Sequence, residues 1–162
     1  MDLPAEARIG KKIKELGLTV AVAESVTGGL IGSRLTDVPG SSEYFMGGVV
    51  AYSNNSKIKL LNVKRETLAQ FGAVSERTAR EMAEGVRRVF GTDIGLAISG
   101  IAGPGGATKD KPVGLMWMAV AAKDFLQTRS VRLPGDRLGN KTGAAEEVLK
   151  LLEEYLDSIL PD

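Results

Sequence analysis

Ser25, Tyr52 and Lys57 are the residues whose types and placement in the chain could together transfer an acyl group. Ser25 closes a small apolar run in Val20-Ala-Val-Ala-Glu-Ser25-Val-Thr-Gly-Gly-Leu30. A hydroxyl at a strand-to-helix junction suits a nucleophile, because the turn exposes the side chain. Gly28 and Gly29 would then let a substrate approach free backbone N–H groups at a helix N-terminus. Ser25 or Thr27 can equally be a plain helix cap, as Ser and Thr usually are. A lysine amine ordinarily titrates near about 10.4 and is a poor base at neutrality. Desolvation, or a nearby positive charge, lowers it enough to accept a serine proton. A Tyr52 hydroxyl set between Ser25 and Lys57 would relay that proton or donate to a leaving group. N–H groups from Thr27 to Gly29 would hold a developing oxyanion. Taken singly, Lys57 reads as an exposed helix lysine and Tyr52 as an aromatic at a sheet edge.

Composition narrows how such a serine could be activated. The 162 residues include no cysteine and no histidine. That excludes disulfides, thiolate nucleophiles and Cys-ligated zinc. It also removes the Ser-His-Asp triad, the Cys-His pair and nearly every common catalytic zinc site. The remaining bases are lysine, tyrosine, a carboxylate or the chain's own amine. No metal and no cofactor is expected. Hydrophobic residues make up 43% and charged residues 25%, with a formal net charge of +1. These values fit one soluble domain over residues 1–162, large enough to bury about two-thirds of its unfolded surface. A near-neutral chain lacks the clustered basic excess of a nucleic-acid surface. No apolar run approaches the roughly 20 residues of a membrane span. Met1-Asp-Leu-Pro leads straight into a charged helix, unlike a signal peptide, so the chain reads as cytoplasmic.

The elements that must position these residues follow from periodicity. Ile9, Ile13 and Leu16 share one face of a helix over Ala5–Leu16, which Gly17 stops. A strand over 19–23 precedes the turn at Ser25, and a helix over 30–36 follows it. Gly47 to Tyr52 reads as a second strand, with Lys57 five residues later in the first turn of a short helix. Another helical turn spans 65–71. Ser75 caps a helix in which Ala79, Met82, Ala83, Val86 and Phe90 share a face. Residues 93–99 form a strand, and the unbroken apolar run 113–122 reads as a central one. Residues 126–133 suit an antiparallel partner, and 143–160 a closing helix. This order predicts a three-layer α/β/α fold with a mixed, mostly parallel sheet.

In such sheets the groups at carboxyl ends of strands gather on one rim. Ser25, Tyr52, Lys57 and the loop Ser99-Gly-Ile-Ala-Gly-Pro-Gly-Gly106 all belong to such ends or to the turns just after them. The loop's glycines would let backbone donors approach a phosphate or ribose. It lacks the Gly-Lys-Ser/Thr of a Walker loop, and an ordinary long turn between strands would look the same. Pro134-Gly-Asp136-Arg137, with Lys141 four residues on, supplies cations suited to a phosphate. Asp136 can instead be an N-cap with charged neighbours, and spacing alone does not choose.

Ala23-Glu-Ser-Val-Thr-Gly-Gly29, Pro39-Gly-Ser-Ser42, Gly47-Gly-Val-Val-Ala-Tyr-Ser53 with Lys57, Gly72-Ala-Val-Ser-Glu76, Ser99-Gly-Ile-Ala-Gly-Pro104, Lys111-Pro-Val-Gly114 and Pro134-Gly-Asp-Arg137 resemble, in order, the signature blocks of the CinA C-terminal family. Characterised members of that family are nicotinamide-mononucleotide amidases. The resemblance implies a three-layer α/β/α fold and hydrolysis of a mononucleotide carboxamide to the acid and ammonia. It implies a Ser-Tyr-Lys catalytic set at Ser25, Tyr52 and Lys57. Substrate contacts would come from Thr27, Gly28, Gly29, Ser99, Gly100, Ala102, Gly103, Arg137 and Lys141. It also suggests a homodimer. Val26 stands where relatives often carry cysteine, and Lys141 where arginine is common; lysine attracts phosphate but cannot grip it in a bidentate way. A non-catalytic nucleotide-binding module is the competing reading, and it would have no need of all three catalytic matches.

Overall fold

Alternation of large and small side chains along the strands decides which layer each helix joins. The computed structural model describes residues 2–162. Five strands, β1 (Val20–Glu24), β2 (Phe45–Val50), β3 (Ile94–Gly100), β4 (Leu115–Ala122) and β5 (Phe125–Arg132), form one sheet in the order β2-β1-β3-β4-β5. β1 runs parallel to both β2 and β3, while β4 is antiparallel to β3 and to β5. Four strands therefore share a direction and β4 opposes them. The helices are α1 (Ala5–Leu16), α2 (Leu30–Thr36), α3 (Asn54–Leu61), α4 (Arg65–Phe71), α5 (Glu76–Phe90) and α6 (Arg137–Ile159). None of them is long and apolar enough to cross a membrane.

Val20, Val22, Ile94, Leu96, Ile98, Met116, Met118 and Val120 meet Ile9, Ile31, Leu35, Val148 and Leu152, burying α1, α2 and α6 against one face. Intervening positions are small: Ala21, Ala23, Ala97, Ala119 and Ala121 meet Ala79, Met82, Ala83 and Val86 of α5 on the other. The small residues let α5 lie close. A Cβ on Gly95 would fall 2.1 Å from the Ala83 carbonyl oxygen, and one on Gly85 would fall 2.0 Å from that of Leu61. With both faces covered, β1 is buried along its whole length, its apolar run Val20 to Ala23 and Glu24 alike. The three-layer architecture is the one expected.

Three details differ from the sequence expectations. β3, not β4, is the middle strand, and β4 lies one place from the edge. The apolar run of β4 reflects cover by α5 and α6 on its two faces, which does not require the centre of the sheet. The last helix begins at Arg137 rather than Gly143. The Asp136 carboxylate caps it by accepting the Gly139 N–H at 2.9 Å, and the weak helix formers Gly139 and Gly143 had disguised its first turns. β2 ends at Val50, so Tyr52 lies beyond the strand.

The chain leaves β1 through α2 on one face and reaches β2; it then returns through α5 on the opposite face to β3, on the other side of β1. The carboxyl ends of β1 and β3 thus flank a switch point, where open α/β sheets form their crevice.

Candidate active site

Ser25 directly follows β1, and its N–H donates to the Ile98 carbonyl of β3 at 3.1 Å. That bond anchors the serine at the crevice. Lys57 arrives from α3, whose start is fixed by Ser53: its Oγ accepts the Ser56 N–H at 3.0 Å. In this first turn Lys57 points inward and is only 1% exposed. Its Nζ lies 2.9 Å from Ser25 Oγ, 2.9 Å from the Ala51 carbonyl and 3.0 Å from the Tyr52 carbonyl. Nζ donates to all three oxygens, one N–H of an ammonium for each. In the neutral amine two N–H groups still serve the two carbonyls, and the lone pair is left to accept the Ser25 hydroxyl proton. Burial drives the Lys57 amine down to about 8. Among the described residues no carboxylate forms an ion pair with it to offset that desolvation. Ser25 and Lys57 are therefore in direct contact.

The turn after Ser25 differs from expectation. Glu24, 2% exposed, folds its carboxylate over the start of α2. Oε1 accepts the Thr27 hydroxyl at 2.6 Å, the Gly29 N–H at 3.1 Å and the Ile31 N–H at 2.9 Å; Oε2 accepts the Gly32 N–H at 2.9 Å. The Gly28 N–H is taken by the Ser25 carbonyl at 3.2 Å. The Thr27 hydroxyl and the Gly28 and Gly29 N–H groups are thus spent internally, so they are not the free donors the sequence suggested. An internal carboxylate takes the place a substrate anion would have at the helix end. The backbone N–H groups of Val26 and Thr27 have no partner among the described residues. Of the two residues, Val26 lines the cavity beside Ser25.

That cavity, about 450 Å³, has Ser25 and Lys57 among its lining residues, along with the loop after β3. Ser99, Gly100, Ala102 and Gly103 line it. Tyr52 also lines it but is 62% exposed, and its hydroxyl accepts from Arg137 Nη2 at 3.2 Å. It does not sit between Ser25 and Lys57; what Tyr52 gives the lysine is its backbone carbonyl. Arg137 Nη1 donates to the Gly103 carbonyl at 2.8 Å, so this guanidinium joins the loop to the tyrosine. Lys141 lies outside the lining, with Nζ 3.8 Å from where a Gly28 Cβ would be. A larger open cleft of about 780 Å³ lies at the opposite end of the sheet, among Arg80, Arg87 and Thr92.

Two residues of the site escaped the sequence reading. One is Glu24. The other is Asn140, fully buried in α6, whose Nδ2 donates to the Ala102 carbonyl at 2.9 Å and whose Oδ1 accepts the Gly135 N–H at 2.9 Å. It fastens the cavity loop to the start of α6. Its signal was a polar amide on the helix row that continues through the buried Ala144 and Val148.

Residues 2–156 match the CinA C-terminal domain family. The chain is 50% identical over 161 residues to a CinA-like protein of Chloroherpeton thalassium, covering 97% of this chain and 38% of that protein. It is 53% identical over 140 residues to a CinA-like protein of Syntrophomonas wolfei, covering 86% and 34% respectively. The chain thus spans little more than a third of the length of these relatives. Among solved structures it is similar to the competence-damaged protein (CinA) superfamily protein of Klebsiella pneumoniae 700603. There the TM-score is 0.92 at 32% identity, covering 95% of this chain and 96% of that one. Matched along nearly all its length in both sequence and backbone, the chain belongs to the CinA C-terminal domain family.

Proposed function

We propose that this protein is an amidohydrolase that converts nicotinamide mononucleotide to nicotinate mononucleotide and ammonia, a step of pyridine-nucleotide recycling in the cytoplasm. The observation that carries this reading is the 2.9 Å contact between Lys57 Nζ and Ser25 Oγ in a chain without histidine. The family resemblance supports the choice of substrate, and Arg137 at the cavity supplies a cation for its phosphate. No metal or cofactor enters the scheme.

In the first half-reaction Lys57 takes the hydroxyl proton as Ser25 Oγ bonds to the carboxamide carbon. The Val26 N–H, beside the nucleophile, meets the developing oxyanion. The resulting ammonium returns the proton to the amide nitrogen, the C–N bond breaks and ammonia leaves. In the second half Lys57 deprotonates a water, which adds to the acyl carbon. The C–Oγ bond then breaks, Ser25 Oγ recovers the proton and the carboxylate is released. The substrate's pyridinium charge makes its carbonyl more electrophilic, which suits a modest nucleophile. Tyr52, through its hydroxyl bond, steadies Arg137 rather than relaying the serine proton.

The deciding experiment measures ammonia release from nicotinamide mononucleotide by the wild type, Ser25→Ala and Lys57→Ala. Turnover confined to the wild type, and indifferent to a chelator, is the expected result. A folded wild type that binds the mononucleotide without releasing ammonia would replace the amidase with a nucleotide-binding module.

A further inference from the structure

We propose that Glu24 is a positioning residue for the nucleophile, a role that rests on the reading of Ser25 as the attacking group. Four donors converge on its carboxylate, from Thr27, Gly29, Ile31 and Gly32. Every one of these partners is a donor, so both carboxylate oxygens act as acceptors. Its own backbone stays in the sheet, where the Glu24 carbonyl accepts the Ala51 N–H at 2.8 Å. Glu24 is therefore fixed at both ends: backbone in β1, side chain over the first turn of α2. Ser25 and Val26 lie in the short span between these anchors.

Two consequences follow for chemistry. First, the carboxylate fixes the angle at which the chain leaves β1, and with it the direction of Ser25 Oγ toward Lys57. Second, it consumes the donors at the helix start, so that an anionic substrate is not drawn there. The unspent N–H groups of the turn are those of Val26 and Thr27, and Val26 lines the cavity. A substrate carbonyl is thereby steered to the donor adjacent to the nucleophile, while its phosphate is left to Arg137. Glu24 itself touches no reacting atom.

Glu24→Gln tests this directly. Gln can keep an acceptor for Thr27, Gly29 and Ile31, but its NH2 would then oppose the Gly32 N–H, turning one hydrogen bond into a donor–donor clash. The readouts are kcat and KM on nicotinamide mononucleotide, together with the rate at which phenylmethanesulfonyl fluoride modifies Ser25, followed by intact mass on the folded fraction. A misaimed nucleophile predicts modification slowed about tenfold, and kcat lowered in parallel with KM unchanged, since small displacements of a reacting group cost one to two orders of magnitude. Wild-type modification and wild-type kcat in a folded Gln variant, with only the melting temperature lowered, would reduce Glu24 to a structural cap and overturn the proposal. Thr27→Val, which removes a single donor to the carboxylate, decides the matter if the Gln variant does not fold. Slowed modification there supports positioning, and an unchanged rate refutes it. A wild type whose Ser25 is modified but which releases no ammonia would remove the amidase reading while leaving the role of Glu24 to be read from the modification rates alone.

Discussion

Catalysis should switch on with the deprotonation of Lys57, and the size of the effect follows from its burial. The amine is surrounded by protein, bonded to two carbonyls and to Ser25, and held near about 8 instead of its usual value by desolvation. Only the neutral amine can take the serine proton. Between pH 7 and 9 the neutral fraction rises about tenfold, and kcat/KM, which reports the free enzyme, should rise by the same factor before levelling off. Starting at pH 7 keeps the window above the second ionisation of a phosphate monoester, near about 6. The assay is initial ammonia release at fixed ionic strength, repeated with Lys57→Met, which should fall by at least about a thousandfold and lose the inflection. The same titration has a stability counterpart. In the unfolded chain the lysine holds its proton to about 10.5, while in the fold it releases it near about 8. The unfolded state therefore binds more protons in that window, so stability should rise with pH across it, by up to about 3 kcal/mol. Urea unfolding of wild type against Lys57→Met isolates this gain from other titrations. A kcat/KM that stays flat from pH 7 to 9, or an inflection that survives in Lys57→Met, would refute the assignment of Lys57 as the base.

Three further outcomes are expected. Arg137→Ala removes the cation that joins Tyr52 to the Gly103 carbonyl, and should raise KM for the mononucleotide about tenfold or more while lowering kcat less; steady-state kinetics that show the reverse would detach Arg137 from phosphate binding. Gly85→Ala would place a Cβ 2.0 Å from the Leu61 carbonyl oxygen, a backbone atom with no free path of retreat, and should destabilise the fold by about 1–3 kcal/mol in denaturant unfolding. Glu153 of α6 is held down at about 2 by its hydrogen bonds from Arg8, and then from Lys12, of α1. Its folded value is depressed, so its contribution is complete above the ordinary carboxylate value of 4.5 and is lost as pH falls through about 2. Allowing for solvent screening, it is worth about 1 kcal/mol, and Glu153→Gln should remove that part of the acid sensitivity measured by thermal unfolding.

Element type was legible in the sequence because it depends on local periodicity. The helical faces of α1 and α5, the cap at Ser75 and the buried run of β1 each carry a pattern that only one secondary structure satisfies. The range of bases was legible as well: without histidine or cysteine, a serine nucleophile is left with lysine, tyrosine, a carboxylate or the chain's own amine, and composition does not choose among them. The order of strands was not legible. An apolar run such as β4 reports cover on both faces, and a strand next to the edge can have that as readily as one in the middle.

What only the tertiary structure decided was how polar groups were shared out. Ser25 and Lys57 are 32 residues apart, and whether the amine or the Tyr52 hydroxyl would reach the serine depended on where α3 packed. The Tyr52 hydroxyl had a competing partner in Arg137, 85 residues further on, and bonds to it. Glu24 is the clearest case, because its partners are near in sequence and its role was still hidden. The same glycine-rich turn and helix start serve a substrate anion or an internal carboxylate equally well, since both satisfy the same N–H groups. Composition and spacing set out the donors and acceptors, but each donor bonds to whichever acceptor the fold brings within reach.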